Sequence, residues 1–138
     1  MSTFVDTSAF YAAADRGERA HAWATETLAG AGRLVTTDHV VLESWMLLDG
    51  RLGRDAAQRF WGAIRDGAVE AITVGAADLD RAWRVAADFP DQPFSLVDMT
   101  SFAVMERLGL TRVATLDRHF AVYRYGPRRD RSFEPLAR

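Results

Sequence analysis

A chain of 138 residues, of which 49% are hydrophobic and 26% charged, has the length and composition of one ordinary globular domain, and we predict a single domain over residues 1–138. The sequence contains no cysteine, which excludes a disulfide framework and a thiolate zinc site. With a net charge of −2 and arginine as every one of its 17 basic residues, the chain is no general nucleic-acid coat, and it lacks the lysine that P-loop NTPases and Schiff-base enzymes need.

Apolar residues recur with the period of a strand in some segments and with the period of a helix in others. In chain order, the first half is predicted to contain a strand over residues 2–5, helices over 8–15 and 18–29, a strand over 33–36, and helices over 38–52 and 55–66. Asp6 or Thr7 is the expected N-cap of the first helix, because each carries a side-chain oxygen and stands just before it.

The second half of the chain continues this alternation. Its predicted elements are a strand over 68–74, a helix over 78–88, a loop over 90–94, a helix over 95–108, a strand over 111–115, a short helix over 117–121 and a last strand near 133. Gly109 ends the long helix before the fourth strand. Strands that alternate with helices predict an α/β fold with a mostly parallel sheet and helices on both faces.

Four carboxylates are placed where they can meet at one edge of this sheet. Asp6 follows the first strand and Asp117 the fourth, and these strands are neighbours if the strand order is 3-2-1-4. Asp98 lies in the first turn of its helix and Glu43 in the second turn of another, both near the carboxyl ends of the strands. Sites in open α/β sheets form at this edge, where the strand order changes direction.

Each of these acids also has a purely structural interpretation. Asp6 and Asp117 occupy N-cap positions. Ser95 and Asp98 have the spacing of a capping box, and Glu43 fits an exposed position on its helix. Taken one at a time, these interpretations do not explain why all four acids fall on one edge of one sheet.

Clustered carboxylates repel each other unless a cation neutralises them. Oxygen ligands favour a hard ion, Mg²⁺ or Mn²⁺, over zinc, and such an ion activates water and stabilises charge on a phosphoryl group. Phosphate-binding arginines are available towards the C-terminal end, although a solvated surface explains them equally well; the best placed are Arg112, Arg118, Arg128 and Arg129. The pattern indicates phosphodiester hydrolysis.

Four motifs stand in a characteristic order and spacing: V-D-T-S at 5–8, an isolated Glu43 inside an apolar helix, S-L-V-D at 95–98 and T-L-D-R-H-F at 115–120. Together they resemble the motifs of PIN-domain nucleases, and most of all those of VapC-type toxins from bacterial and archaeal toxin–antitoxin pairs. The resemblance covers nearly the whole chain, in length as well as in motif order.

This resemblance implies a PIN-like (Rossmann-like) three-layer sandwich with strand order 3-2-1-4-5, and a Mg²⁺- or Mn²⁺-dependent endoribonuclease. It assigns the family's catalytic, metal-binding acids to Asp6, Glu43, Asp98 and Asp117. It places three supporting residues near them, Thr7, Ser8 and Thr115. It also implies a homodimer, a structured RNA substrate such as tRNA or ribosomal RNA, and a small antitoxin whose chain covers the acidic groove.

Other functions and other site chemistries fit parts of the same sequence. A PIN nuclease that processes RNA without being a toxin fits the same motifs, as does a catalytically inactive module that binds RNA or a protein. His39 and Glu43 have a metal-binding spacing, but no second histidine pair or cysteine supports a zinc site. His119 is placed to approach Asp117, yet a metal-bound hydroxide needs no histidine base. A phospho-acceptor receiver domain is disfavoured, because it expects a lysine and an acidic pair near Asp6.

Two further expectations concern the surface of the protein. The four tryptophans fall one to each of four helices and are expected to pack in the core, or else to line a partner groove with Trp45 near the rim of the site. The apolar stretches are too short to span a bilayer, and the first residues lack the pattern of a signal peptide. We therefore predict a cytoplasmic protein without a membrane segment.

Overall fold

The computed structural model describes residues 1–138 as five strands and seven helices. In chain order the elements are β1 (Ser2–Val5), α1 (Thr7–Ala14), α2 (His21–Gly30), β2 (Arg33–Thr37), α3 (Asp38–Leu52), α4 (Arg54–Arg65), β3 (Glu70–Ile72), α5 (Ala76–Asp88), α6 (Leu96–Leu108), β4 (Arg112–Ala114), α7 (His119–Val122) and β5 (Glu134–Pro135). None of the helices combines the length and the apolar character that crossing a bilayer requires.

The five strands are all parallel and lie in the order β3-β2-β1-β4-β5, which confirms the predicted α/β class and strand order. The central strand β1 pairs with β2 on one side and with β4 on the other. Phe4 and Val5 point to opposite faces of the sheet and are both fully buried, so both faces are covered. The strand order changes direction at β1 and β4, so the residues that follow these two strands share one edge.

Most element boundaries lie within two residues of the prediction, and three of the differences have a local cause. Helix α2 begins at His21 rather than at 18, because the carboxylate of Asp15 accepts the N–H of Gly17 and holds the preceding residues in a turn. Strand β3 is shorter than predicted, since it lies at the edge and pairs only with β2. Helix α7 begins at His119 rather than at Asp117, because the Asp117 carboxylate accepts the N–H of His119 from outside the helix.

Helix α6 contributes more buried residues than any other helix, and it runs between the edge formed by the carboxyl ends of the strands and the edge formed by their amino ends. Its central residues are buried, and the Phe102 ring stacks on the Tyr123 ring with 4.4 Å between centroids. Because β4 follows α6 and runs parallel to β1, α6 returns from the carboxyl edge of the sheet to its amino edge. Its first turn is therefore at the carboxyl edge, beside the ends of β1 and β4.

Candidate functional site

An open cavity of about 310 Å³ lies at the carboxyl edge of the sheet. It is lined by Asp6, Thr7, Ser8, Glu43, Leu47, Pro93, Ser95, Asp98, Asp117 and His119. The four predicted acids therefore share one cavity, with two of the three predicted supporting residues on its wall. No arginine lines it, so its surface is acidic without a strong cation to balance it.

Asp6 stands at the N-cap position of α1, but its side chain makes no capping hydrogen bond. Its backbone N–H donates to the carbonyl of Ala114, which extends the pairing of β1 and β4 by one residue. The carboxylate is used differently: Oδ2 accepts hydrogen bonds from the hydroxyls of Thr115 (2.9 Å) and Ser8 (3.0 Å). The capping interpretation of Asp6 is thus correct for its position and wrong for its side chain.

Thr115 and Ser8 connect the two loops that follow β1 and β4. The Thr115 hydroxyl accepts the backbone N–H of Asp117 at 2.9 Å, and the Ser8 hydroxyl accepts that of Leu116 at 2.8 Å. Their own Oγ atoms lie 3.3 Å apart. These bonds fix the loop that carries Asp117 against the loop that carries Asp6, which is a supporting role for both hydroxyls.

Asp98 closes a complete capping box at the start of α6. Its Oδ2 accepts the N–H of Ser95 at 2.9 Å, and its own N–H donates to the Ser95 hydroxyl at 3.0 Å. The same Oδ2 lies 2.8 Å from Nδ1 of His119. The capping box and the place in the cavity are therefore not alternatives, because one side chain serves both.

His119 is the residue that the sequence argument set aside and the structure brings into the cluster. Its Nδ1 also lies 3.3 Å from Oδ1 of Asp117, and ligand atoms of Asp98, Asp117 and His119 all lie within 4.8 Å of one another. The signal that predicts this is its place two residues after Asp117, in the first turn of the helix that follows β4.

Glu43 is the most loosely placed of the four acids. It lies on α3, half-buried on the cavity wall, and its carboxylate accepts no hydrogen bond from the protein. It does not belong to the group whose ligand atoms lie within 4.8 Å of one another. The structure therefore brings Asp98, Asp117 and His119 together closely, with Asp6 and Glu43 on the wall of the same cavity.

The cavity changes the ionisation of its deepest acid. Burial raises the pKa of Asp6 to about 6, and the negative charge of Asp98 acts in the same direction. Hydrogen bonds from Thr115 and Ser8 act in the opposite direction but do not outweigh burial. The ionised form of Asp6 is thus held in place by hydroxyls, yet lacks a positive charge beside it.

The residues on the cavity wall fit a hard divalent cation. Carboxylate oxygens predominate among the potential ligands, and these are the ligands that Mg²⁺ and Mn²⁺ prefer. A bound cation would supply the positive charge that these carboxylates lack.

Other predicted residues lie away from this cavity. Trp45 lines a separate apolar groove on α3 and α4 together with Trp61, so its predicted place at the rim of the acidic site is wrong. Trp83 is 80% exposed rather than packed in the core. Arg112 begins β4 and so lies at the amino edge of the sheet, opposite the acids. Arg129 pairs with Asp88 and stacks over the Phe89 ring.

Comparison with known proteins connects this geometry to one family. The model of the PIN domain matches residues 3–124. Over 120 residues the chain is 36% identical to the 23S rRNA-specific endonuclease VapC20 of Mycobacterium tuberculosis, covering 86% of this chain and 91% of that protein. It is 33% identical over 122 residues to ribonuclease VapC26 of the same organism, covering 87% of this chain and 90% of the relative.

Solved structures agree with this comparison. The crystal structure of Mycobacterium tuberculosis VapC20, described as a sarcin–ricin loop cleaving toxin, matches with a TM-score of 0.82 at 34% identity and covers 87% of this chain and 93% of that one. VapBC2 from Rickettsia felis, solved with a DNA fragment from its promoter, matches with a TM-score of 0.67 at 14% identity, over 88% of this chain and 92% of that one. The second similarity concerns the fold alone.

Proposed function

The chain belongs to the PIN-domain family, and from that premise we propose that it is a divalent-metal-dependent endoribonuclease, the toxin of a type II toxin–antitoxin pair. Residues 1–138 form one nuclease domain in this proposal. Its catalytic and metal-binding residues are Asp6, Glu43, Asp98 and Asp117. The observation that carries the proposal is their position on one cavity that contains no arginine.

Mg²⁺ or Mn²⁺, held by these carboxylates, would supply an activated water and neutralise charge on the scissile phosphate of RNA. The protein's own part is to hold the acids in place before substrate arrives. Two hydroxyls fix the carboxylate of Asp6, and the N–H of Ser95 fixes that of Asp98. Preorganised ligands of this kind need no rearrangement during the reaction.

His119 has a positioning role in this proposal. Its Nδ1 lies 2.8 Å from Oδ2 of Asp98 and 3.3 Å from Oδ1 of Asp117, so this one nitrogen bridges the two carboxylates. Thr7, Ser8 and Thr115 support the arrangement from the loops after β1 and β4.

The proposed substrate is a structured RNA, either ribosomal RNA or tRNA. The names of two relatives support it, since one is specific for 23S rRNA and the other is a ribonuclease. Because a relative is described as a toxin, we further propose a small antitoxin as partner, a homodimer as assembly and the cytoplasm as location.

The test is a transcriptome-wide map of new RNA 5′ ends after brief induced expression. Wild type, Asp98→Asn and the exposed control Arg84→Gln are compared, with the abundance of each protein measured. We expect new ends at a few sites for wild type and for Arg84→Gln, and none for Asp98→Asn. The same ends in all three, or none in any, would contradict the proposal.

Growth distinguishes a toxin from a nuclease that processes RNA. A toxin arrests growth when induced alone, and the arrest depends on the same carboxylate that cleavage needs. We therefore expect arrest with wild type and normal growth with Asp98→Asn. Specific cleavage without growth arrest would support the nuclease activity and contradict the proposed role as a toxin.

A further inference from the structure

A second cavity, of about 430 Å³, lies directly beside the acidic one. It is lined by Glu18, Arg19, Ala20, Trp23, Leu116 and Arg138. Leu116 lines this cavity, and its neighbour Asp117 lines the acidic one. The backbone N–H of Leu116 also donates to the hydroxyl of Ser8, another residue of the acidic cavity. Consecutive Cα atoms are about 3.8 Å apart, so consecutive residues of one loop connect the two cavities.

We propose that this second cavity is a nucleotide-binding subsite of the nuclease. One nucleobase close to the cleaved phosphodiester stacks on the Trp23 indole, and Arg19 and Arg138 bind the adjoining phosphates. The inference rests on the proposed function, since it assigns the cavity to the same RNA. It adds residues outside the acidic site that determine where along an RNA the cleavage falls.

Trp23 supplies an aromatic ring on the wall of this cavity. The indole is half-buried at the start of α2, where it packs against the hydrophobic core. Its Nε1–H donates to the carbonyl of Ala137 at 2.8 Å, so the polar atom of the ring is already satisfied. The ring is thus held in place where it lines the cavity, and nucleobases stack on aromatic rings without requiring a particular sequence.

The two arginines of this cavity are free to bind phosphate. Arg19 and Arg138 are exposed, and neither has a carboxylate within 4.0 Å, whereas Arg54, Arg107 and Arg129 each form an ion pair. Unpaired guanidinium groups bind phosphate oxygens in a two-pronged geometry.

The positive charges of Arg19 and Arg138 can offset the repulsion between the acidic cavity and RNA. RNA must bring a phosphate to a cavity lined by four carboxylates, and the acids repel the phosphates on either side of it. Arg19 is carried by the turn between α1 and α2, which the Asp15 carboxylate holds through the N–H of Gly17. The backbone that carries this positive charge is thus held in place, and Arg19 itself does not line the acidic cavity.

The proposal is tested by RNA binding in an Asp98→Asn background with Mg²⁺ present, so that the RNA stays intact. The probe is the hairpin around the strongest cleavage site in the 5′-end map. We expect Trp23→Leu to weaken binding by about 5- to 100-fold, and Trp23→Phe to retain most of the affinity. Arg19→Gln and Arg138→Gln should weaken binding and each lower the salt dependence by about one phosphate contact, while Arg84→Gln changes neither.

An abasic scan of the hairpin separates stacking from a general loss of structure. Removing one particular base near the cleavage site should weaken binding to the parent protein and leave binding to Trp23→Leu almost unchanged. An abasic scan that looks the same for both proteins would overturn the subsite, as would equal affinity of Trp23→Leu and the parent. If wild type cleaves no RNA, the proposed function fails and the subsite with it; cleavage by wild type with binding insensitive to these residues overturns the subsite alone.

Discussion

Two aspartates occupy the same position in two neighbouring helices. Asp78 is the third residue of α5 and Asp98 the third residue of α6, and they are only 4% and 7% exposed. Each accepts the backbone N–H of the residue just before its helix, Gly75 at 3.0 Å and Ser95 at 2.9 Å. The local structure around the two carboxylates is therefore nearly the same.

The two aspartates differ in the charges around them. Asp78 accepts two hydrogen bonds from the guanidinium of Arg107, at 2.9 and 3.0 Å, and this pairing holds its pKa below the usual range. Asp98 contacts His119 and raises the pKa of Asp6. Because Arg107 is in the last turn of α6 and Asp98 in its first, about 14 Å of helix separates Asp98 from the arginine that balances Asp78.

This difference separates structural from functional use of one motif. Acceptance of the backbone N–H just before the helix explains why an aspartate stands at the third position, whatever surrounds its charge. The Ser95 hydroxyl completes a capping box at Asp98, whereas Gly75 has no side chain to do so at Asp78. The missing counter-charge is what distinguishes Asp98, since a buried carboxylate without a cation is costly unless a ligand supplies one. The site is therefore identified by what the acids lack.

The same substitution at Asp98 and at Asp78 tests this difference most directly. Asp98→Asn keeps the oxygen that accepts the Ser95 N–H and removes the charge, so we expect RNA cleavage to fall by more than about 100-fold. Asp78→Asn should leave the cleavage rate of the folded protein within about 3-fold of wild type, because Asp78 does not line the acidic cavity. Rates are measured on one RNA at saturating Mg²⁺, and equal losses in both variants would refute the distinction.

Without metal, replacing an aspartate by asparagine should change the free energy of unfolding in opposite directions at Asp6, in the acidic cavity, and at Asp78. The pKa of Asp6 is raised from 3.8 to about 6, so folding favours its protonated form, and the protein loses stability as pH rises between these values. Asp6→Asn removes this cost and should raise the free energy of unfolding at pH 8 by up to about 3 kcal/mol, with little change at pH 4. Urea unfolding with EDTA measures it, and Asp78→Asn should destabilise at pH 8.

Most of the fold is predictable from the sequence, because its elements follow from local patterns. Apolar runs, the stop at Gly109 and the capping residues define strands and helices within a few residues. The strand order came from the family resemblance, and the placement of Asp6 and Asp117 at one edge depended on that order. Parallel pairing of β1 with both β2 and β4 bears this out.

The site was only partly predictable, because its contacts join distant parts of the chain. That Asp6 and Thr115 share a hydrogen bond across 109 positions follows from the sheet order. The position of His119 two residues after Asp117 places it near the cavity, but its contact with Asp98 depends on the angle at which α7 starts, which the sequence pattern does not give. Trp45 was misplaced for a similar reason, since a spacing of two residues from Glu43 turns it towards α4 instead.

The ion pair between Asp78 and Arg107 is tested by removing the guanidinium. Arg107→Gln leaves the buried Asp78 carboxylate without its guanidinium and should lower the free energy of unfolding by about 2 kcal/mol at pH 7. The pKa of Asp78 is lowered in the folded protein, so this stabilisation exists above its unfolded pKa and disappears as pH falls through the folded value. Urea unfolding at pH 7 and below pH 4 measures the difference, and a loss that does not depend on pH would contradict the ion pair.

The smallest expected effect is the stabilisation by Mg²⁺ itself. A cation that binds only the folded protein raises the free energy of unfolding by about 1.4 kcal/mol at ten times its dissociation constant. We expect this gain, measured as a rise in the thermal midpoint, in wild type and in Asp78→Asn, since the latter leaves the acidic cavity unchanged. Asp98→Asn should lose most of it, because a carboxylate within the group of converging ligand atoms is gone. If Mg²⁺ stabilised Asp98→Asn as much as wild type, the cation would bind elsewhere, and the unbalanced carboxylates would not be its site.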